Sequence, residues 1–416
     1  MSDSSLNTDA LLDGLDPTQF AAVSSAHNPL AILAGAGSGK TRVLTRRIAH
    51  RVATGAIDPQ RTLSVTFTRK AASELRTRLR GLGLRDNITT GTFHSLAYAQ
   101  LRERWAEKGV RPPDMLDRKF AMIAKLLGRR ANTSMILDTL HELEWITARN
   151  LSLERYPHEI DRLDRKPPIA VADIIQTAKR YAEEKRNQRV IDFDDLLSLA
   201  IRDIEADPEY ASVVHWRHRH LFVDEFQDVN PLQFRLLKAW IGPEPDLCVV
   251  GDPNQAIYAW NGADSWYLRK FTQHFPNAGV ITLGHNYRST PEIIAAGHSV
   301  LPKPDREAEP PQTDRPTGPA PTITICDDDA AEAITVARAV RDHAGPGISW
   351  SQQAVLVRTN AQVALIASAF ERARIPHRVR GRSNLIDQPE IKVLLRLLRE
   401  STGELISVIP DFRAAV

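Results

Sequence analysis

Seven short apolar runs recur along the chain: Leu30–Leu33, Leu63–Phe67, Leu221–Val223, Leu247–Val250, Val280–Leu283, Ile323–Cys326 and Val355–Val357. They lack the polar alternation of a half-solvated strand, so they suit strands buried on both faces, as in a parallel sheet covered by helices. Helical patterns follow them. That alternation predicts an α/β fold.

Several helices announce their ends. After Lys40 the apolar positions Leu44, Ile48 and Val52 sit four apart, and Gly55 supplies a stop. Thr290-Pro291-Glu292 offers an N-cap, a proline at the first helical position and an acid in the first turn. Pro389 opens a further helix with Ile391, Leu394, Leu395 and Leu398 on one stripe. Strand signals vanish over 96–188, where spacings such as Phe120-Ile123-Leu127 predict a helical insertion. Pro302–Pro321 is rich in proline and charge, and predicts a flexible or extended loop.

Composition changes this picture little. The 416 residues are 42% hydrophobic and 25% charged, with a formal net charge of +3, which suits a globular protein of roughly two to four domains. The charge permits nucleic-acid binding without arguing for it. Two cysteines, Cys248 and Cys326, stand far apart, so neither a disulfide framework nor a thiolate zinc site is expected, and a reducing compartment fits. The polar, acidic N-terminus has no apolar core of a signal peptide, and no run is long enough to span a membrane. A cytoplasmic location is the expectation. His215, His218 and His220 lie close in sequence, but without further ligands nearby they read as a basic surface turn rather than a metal site.

The chemistry is concentrated in three segments. AGAGSGKT follows an apolar run and precedes a helix, the context a phosphate-binding loop requires. The candidate ATP-binding residues are therefore Ala34, Gly35, Ala36, Gly37, Ser38, Gly39, Lys40 and Thr41, with Arg42 after them. Backbone N–H groups would face phosphate oxygens, Lys40 would meet the β and γ phosphates, and Thr41 would ligate Mg²⁺. HLFVDEFQD delivers two acids at the end of a buried run: Asp224 to hold Mg²⁺ and Glu225 to ready the attacking water. A third run ends in GDPNQ, whose Gln255 amide can contact a γ-phosphate.

Together these segments resemble superfamily 1 DNA helicases of the UvrD/Rep type, from about Leu15 to Arg399 and with the motifs in family order. LDPTQFAAV is similar to the adenine-reading motif and assigns Gln19 to the base. TFTRKAASEL, TFHS, IDFDDLL, GDPNQAIYAWNGAD and LGHNYRST resemble the motifs that follow. The resemblance implies that Tyr287 stacks on adenine and that Arg288 reaches the γ-phosphate from across a domain cleft. It also implies that Trp260 and Phe67 meet DNA bases, and that His94 lies near the DNA path. Phe93 and Phe226 are expected to be core. Arg69 replaces the family's usual asparagine, and Leu385 and Val393 depart from its later pattern.

After Arg399 nothing resembles the last two motifs, so the chain reads as the front part of such a helicase, truncated and weakly active or inactive alone. The expected architecture is a RecA-like P-loop domain (1–95 and 189–277) with a helical insertion (96–188). An incomplete second RecA-like domain (278–400) and a divergent tail (401–416) follow. The implied function is an ATP- and Mg²⁺-dependent 3′-to-5′ DNA helicase or translocase in repair or replication. Its partners would be single-stranded and tailed duplex DNA, with a second chain able to supply the missing motifs. The alternative is a non-catalytic module that binds ATP and single-stranded DNA, or a partner-docking fragment.

Overall fold

The structure, a computed structural model, describes residues 7–379 apart from 85–87, 129–130, 307–308 and 346, and also 391, 393–395 and 398. Among these, eight strands form. They are β1 (Leu30–Ala34), β2 (Thr62–Thr66), β3 (Thr89–Thr92), β4 (Asp114–Met115), β5 (Val190–Ile191), β6 (His220–Val223), β7 (Leu247–Gly251) and β8 (Gly279–Leu283). Six of them make one wholly parallel sheet in the order β3-β2-β6-β7-β1-β8, while β4 and β5 pair separately.

Burial on both faces explains the continuous apolar runs. Along β6, Leu221 and Val223 point into one core and Phe222 into the other; along β7, Leu247 and Val249 oppose Cys248 and Val250. The first core is filled from the helices Phe93–Glu107, Asp195–Ala206 and Pro231–Ile241. The second is filled from Pro17–Ser24, Lys40–Ala53 and Arg69–Gly81. Phe93 and Phe226 are core residues, as expected. Strand register then brings three chain segments to one edge. Leu33 pairs with Gly251 and Val65 with Val223, so the loops after β1, β6 and β7 leave the sheet together.

The insertion has its own core, built by Met122, Ile123, Ile136, Leu143, Trp145, Tyr156 and Ile174 among others. The short β4–β5 pairing links its two ends. The helix Phe93–Glu107, by contrast, belongs to the first sheet's core.

Three expectations change. The run 280–283 forms β8, but it pairs with β1 and extends the first sheet. The compact unit that holds this sheet runs to Pro321. The runs 323–326 and 355–357 form no strand among the described residues; Ile323, Ile325 and Leu356 are over 90% exposed. β-Branched composition marks a capacity to pair, and a strand exists only where a neighbour supplies the hydrogen bonds. The proline-rich segment is not a free loop. Gln312 donates to Gly284 O and accepts from Asn286 N, Thr313 donates to Ser289 O, and Gly318 N–H donates to Glu292.

In the second unit the helices Asp329–His343 and Asn360–Arg372 pack through Ala333, Ala337, Ile366, Ala369 and Phe370. Of the helix expected after Pro389, residues 391, 393–395 and 398 are helical, and the rest lies outside the described residues. The same holds for Leu385 and the tail 401–416. Among the described residues no helix is long and apolar enough to cross a membrane.

Candidate nucleotide site and nucleic-acid face

The loop between β1 and the helix Lys40–Ala53 depends on two glycines in left-handed conformations, Gly37 (φ 73°) and Gly39 (φ 87°). A Cβ on Gly37 would stand 2.7 Å from Asn286 Oδ1, and one on Gly39 would stand 2.9 Å from Gln19 Nε2. Neither position tolerates a side chain. Lys40 Nζ donates to Ala34 O at 3.2 Å, which holds the ammonium inside the loop. Ser38 Oγ donates to Gly35 O, and Gln19 Nε2 donates to Ser38 O at 2.9 Å. The Gln19 Oε1 atom is buried without a partner, an acceptor suited to an exocyclic amine. Arg42 donates to Gly14 O, so it ties the loop's helix to the N-terminal segment. Thr41, second in that helix, accepts at its carbonyl from Thr45 Oγ1.

At the end of β6 three carboxylates gather near one ammonium. Burial, then proximity to Glu225, pushes the Asp224 carboxyl up to about 6, with Lys40 pulling the other way. Asp228 rises to about 6 for the same two reasons, and its Oδ1 has no hydrogen-bond partner. Glu225 sits at φ 53°, a left-handed position unusual for a side chain of this size. This excess of negative charge fits a divalent cation. No group of three His, Cys, Asp or Glu residues among those described could hold a metal by itself. Asp224 and Thr41 are the residues present for it.

A residue not singled out from the sequence links the acids to the next loop. Gln227, 2% exposed, donates from Nε2 to Glu225 Oε2 at 2.9 Å and accepts at Oε1 from Asp252 N–H at 2.9 Å. Asp252 Oδ2 accepts from Gln255 Nε2 at 2.7 Å. A Cβ on Gly251 would come within 2.5 Å of Gln227 Oε1, so the glycine makes room for this line. The signal was present in VDEFQD, but nothing in one sequence tells a bridging amide from a surface one.

Tyr287 and Arg288 lie on the glycine loop itself. Tyr287 N–H donates to Gly37 O at 3.0 Å, and Asn286 Nδ2 donates to Ala36 O at 2.8 Å. Asn286 Oδ1 also accepts from Arg288 N–H at 2.8 Å. Asn286, which seats both neighbours, was likewise missed. The Tyr287 hydroxyl donates to Asp16 Oδ2 at 2.5 Å. Desolvation and that bond push the phenol up to about 12. Asp16 also caps the helix that carries Gln19.

The expected DNA residues divide. Trp260 is 61% exposed, with Tyr258 6.4 Å away. Phe67 is half-buried, edge-on to Phe93 and packed on the core. His94 stacks on Phe193 at 4.2 Å, and burial holds it down to about 4, neutral near pH 7. Phe193 is 47% exposed and, with Tyr258, adds an aromatic surface not anticipated. Arg69 is exposed at the start of its helix. The three histidines are not a surface turn. His220 is buried in β6 against Asp246, burial holds His218 down to about 4, and His215 meets Ala239 O.

A wholly parallel sheet with a glycine loop after one central strand and paired acids after another is the architecture of a P-loop nucleotide-binding protein. Comparison with known proteins refines the class. Residues 15–276 match the UvrD/REP helicase N-terminal domain, and residues 281–404 match the UvrD-like helicase C-terminal domain. The chain belongs to the UvrD/Rep helicase family. It is 38% identical over 434 aligned positions to the ATP-dependent DNA helicase UvrD2 of Mycobacterium tuberculosis, covering 99% of this chain and 62% of that protein. It is 33% identical to UvrD1 of the same organism, over 96% of this chain and 54% of that one. With PcrA of Staphylococcus epidermidis it shares 32% identity, over 94% and 54% respectively. The chain thus spans just over half the length of these relatives.

Proposed function

We propose that this chain is an ATP-driven motor of a DNA helicase, moving 3′ to 5′ on single-stranded DNA. The observation that carries the reading is the hydrogen-bonded line Glu225–Gln227–Asp252–Gln255. It begins at the residue suited to orient a hydrolytic water and ends on the turn that continues to Trp260. A change at the γ-phosphate would reach Gln255 along this line, five residues before the exposed Trp260.

Each end has a stated task. Lys40 and the glycine-loop N–H groups take the phosphates, while Gln19 and Tyr287 take the adenine. Mg²⁺, held by Asp224 and Thr41, would neutralise phosphate charge. Glu225 orients or deprotonates the water, and Arg288, beside Gly37, stabilises charge on the transferred group. Trp260, with Phe67 and the neighbouring Tyr258, offers faces on which bases stack, at about 1–3 kcal/mol each. His94 and the exposed Phe193 on which it stacks offer a separate aromatic contact for the strand. The direction of movement, the tailed-duplex substrate and a role in repair or replication rest on family membership.

The test is phosphate release with and without single-stranded DNA, followed by displacement of streptavidin from oligonucleotides biotinylated at either end. DNA should stimulate release, and displacement should occur from the 5′ end. Release indifferent to DNA would remove the motor reading, and displacement from the 3′ end would reverse the direction.

A further inference from the structure

Trp260 lies in the turn Ala259–Asn261 with most of its ring in solvent. A side chain this exposed contributes little to its own placement, so neighbours must set where it stands. Two contacts come from the helical insertion. Gly262 adopts φ 88°, and a Cβ there would stand 2.9 Å from the Cβ of Ala148, so the turn's backbone abuts the last residue of the helix Thr133–Ala148. The next residue, Arg149, closes the joint. Its Nη1 donates to Asp264 Oδ2 at 2.8 Å and its Nη2 to Glu159 Oε1 at 3.1 Å.

This fork is built to stay. The Arg149 side chain is 13% exposed, so its charge-assisted bonds are little weakened by water. Glu159 is also gripped by Arg162 at 2.7 and 2.9 Å; those bonds, with Arg149's, hold its carboxyl down to about 2. Asp264 is anchored on its other side, donating its N–H to Val229 O at 3.0 Å and accepting from Trp266 N–H at 3.1 Å. A lysine could reach one carboxylate but could not span both.

We infer that Arg149 is a positioning residue for DNA: it pins the turn Tyr258–Asp264 to the helical insertion and so presents the Trp260 ring to a base. The inference rests on the reading of Trp260 as a base platform. It gives the insertion a task in the motor cycle, since the line from the nucleotide ends at Gln255, a few residues before this turn.

A double-mutant cycle on the full chain tests it, with anisotropy of a labelled oligothymidylate as readout and nucleotide-analogue affinity as the check on folding. Arg149→Met should weaken oligonucleotide binding about 5- to 20-fold in the parent. In a Trp260→Ala background the same change should cost less than about twofold, because the platform it positions is gone. If Arg149→Met does not fold, Asp264→Asn breaks the same pair from the other side and should give the same non-additivity. Equal losses in both backgrounds, or none in either, would overturn the proposal. An unaffected Trp260→Ala would remove the platform reading itself and the proposal with it.

Discussion

Asp224 and Asp246 stand at opposite ends of the same parallel sheet, one after β6 and one before β7, and are 6% and 8% exposed. Burial pushes both carboxyls up. At Asp246 that push is outweighed by hydrogen bonds from His220 Nδ1 at 2.6 Å and from Arg51 at 2.7 and 3.1 Å, so its pKa falls below the ordinary value. At Asp224 no cation bonds to the carboxylate, a second acid lies beside it, and the pKa rises to about 6. Equal burial therefore has opposite consequences. The paired carboxylate holds the sheet's far edge together; the unpaired one is poised to receive charge from outside the chain.

The comparison can be broken from either side. The largest expected effect is at the nucleotide end, where Glu225→Gln should lower phosphate release by about 10²- to 10⁴-fold while nucleotide binding persists. Unchanged turnover would show that Glu225 is not the group that readies the water. At the far edge, Asp246→Ala leaves Arg51 and His220 without their partner, and should cost about 3–5 kcal/mol in urea unfolding at pH 7. A loss below about 1 kcal/mol would mean the pair is not structural. Lys40→Ala should weaken binding of a fluorescent ATP analogue by about 2–4 kcal/mol with little change in unfolding; equal affinities would remove Lys40 from the site.

The smallest effect is the sharpest, because its sign reverses between the two acids. The folded pKa of Asp224, about 6, lies above the ordinary 3.8. Its ionisation therefore opposes folding: the penalty is absent well below pH 3.8, grows between 3.8 and 6, and is complete above 6. Asp224→Asn should thus be more stable than the parent at pH 7 by up to about 3 kcal/mol, the gap of two units at 1.36 kcal/mol each. That advantage should shrink towards pH 4. Asp246 behaves oppositely: its stabilisation is present above 3.8 and is lost as pH falls through its depressed folded value. Melting temperatures of the two variants across pH 4 to 7 decide this. A parallel trend in both would mean that burial alone sets these groups.

Much of the site was legible in the residues because its chemistry is local. A glycine loop needs small residues in a short stretch between a strand and a helix, and Gly37, Gly39 and Lys40 occupy it as the spacing predicts. Asp224 and Glu225 follow a buried run, and the run itself marked where the strand would end. What escaped were the residues that act by bridging. Gln227, Asn286, Asp16 and Arg149 each owe their roles to a partner brought near by folding, and an amide or arginine carries no local mark of that partner.

By itself, then, the sequence determined the strands with two buried faces, the glycine loop between strand and helix, the acids after a buried run and the helices that fill 119–188. Each follows from periodicity or from backbone chemistry over a few residues. Only the tertiary structure decided that β8 completes the first sheet, that the proline-rich segment is pinned beside it, and that the apolar runs at 323–326 and 355–357 stay unpaired among the described residues. It also decided which of two buried aspartates is neutralised by its neighbours and which is not. The physical reason is common to all of these. Hydrogen-bonding partners and compensating charges come from residues distant in the chain, and a run of sequence specifies the need for a partner without specifying which one folding will deliver.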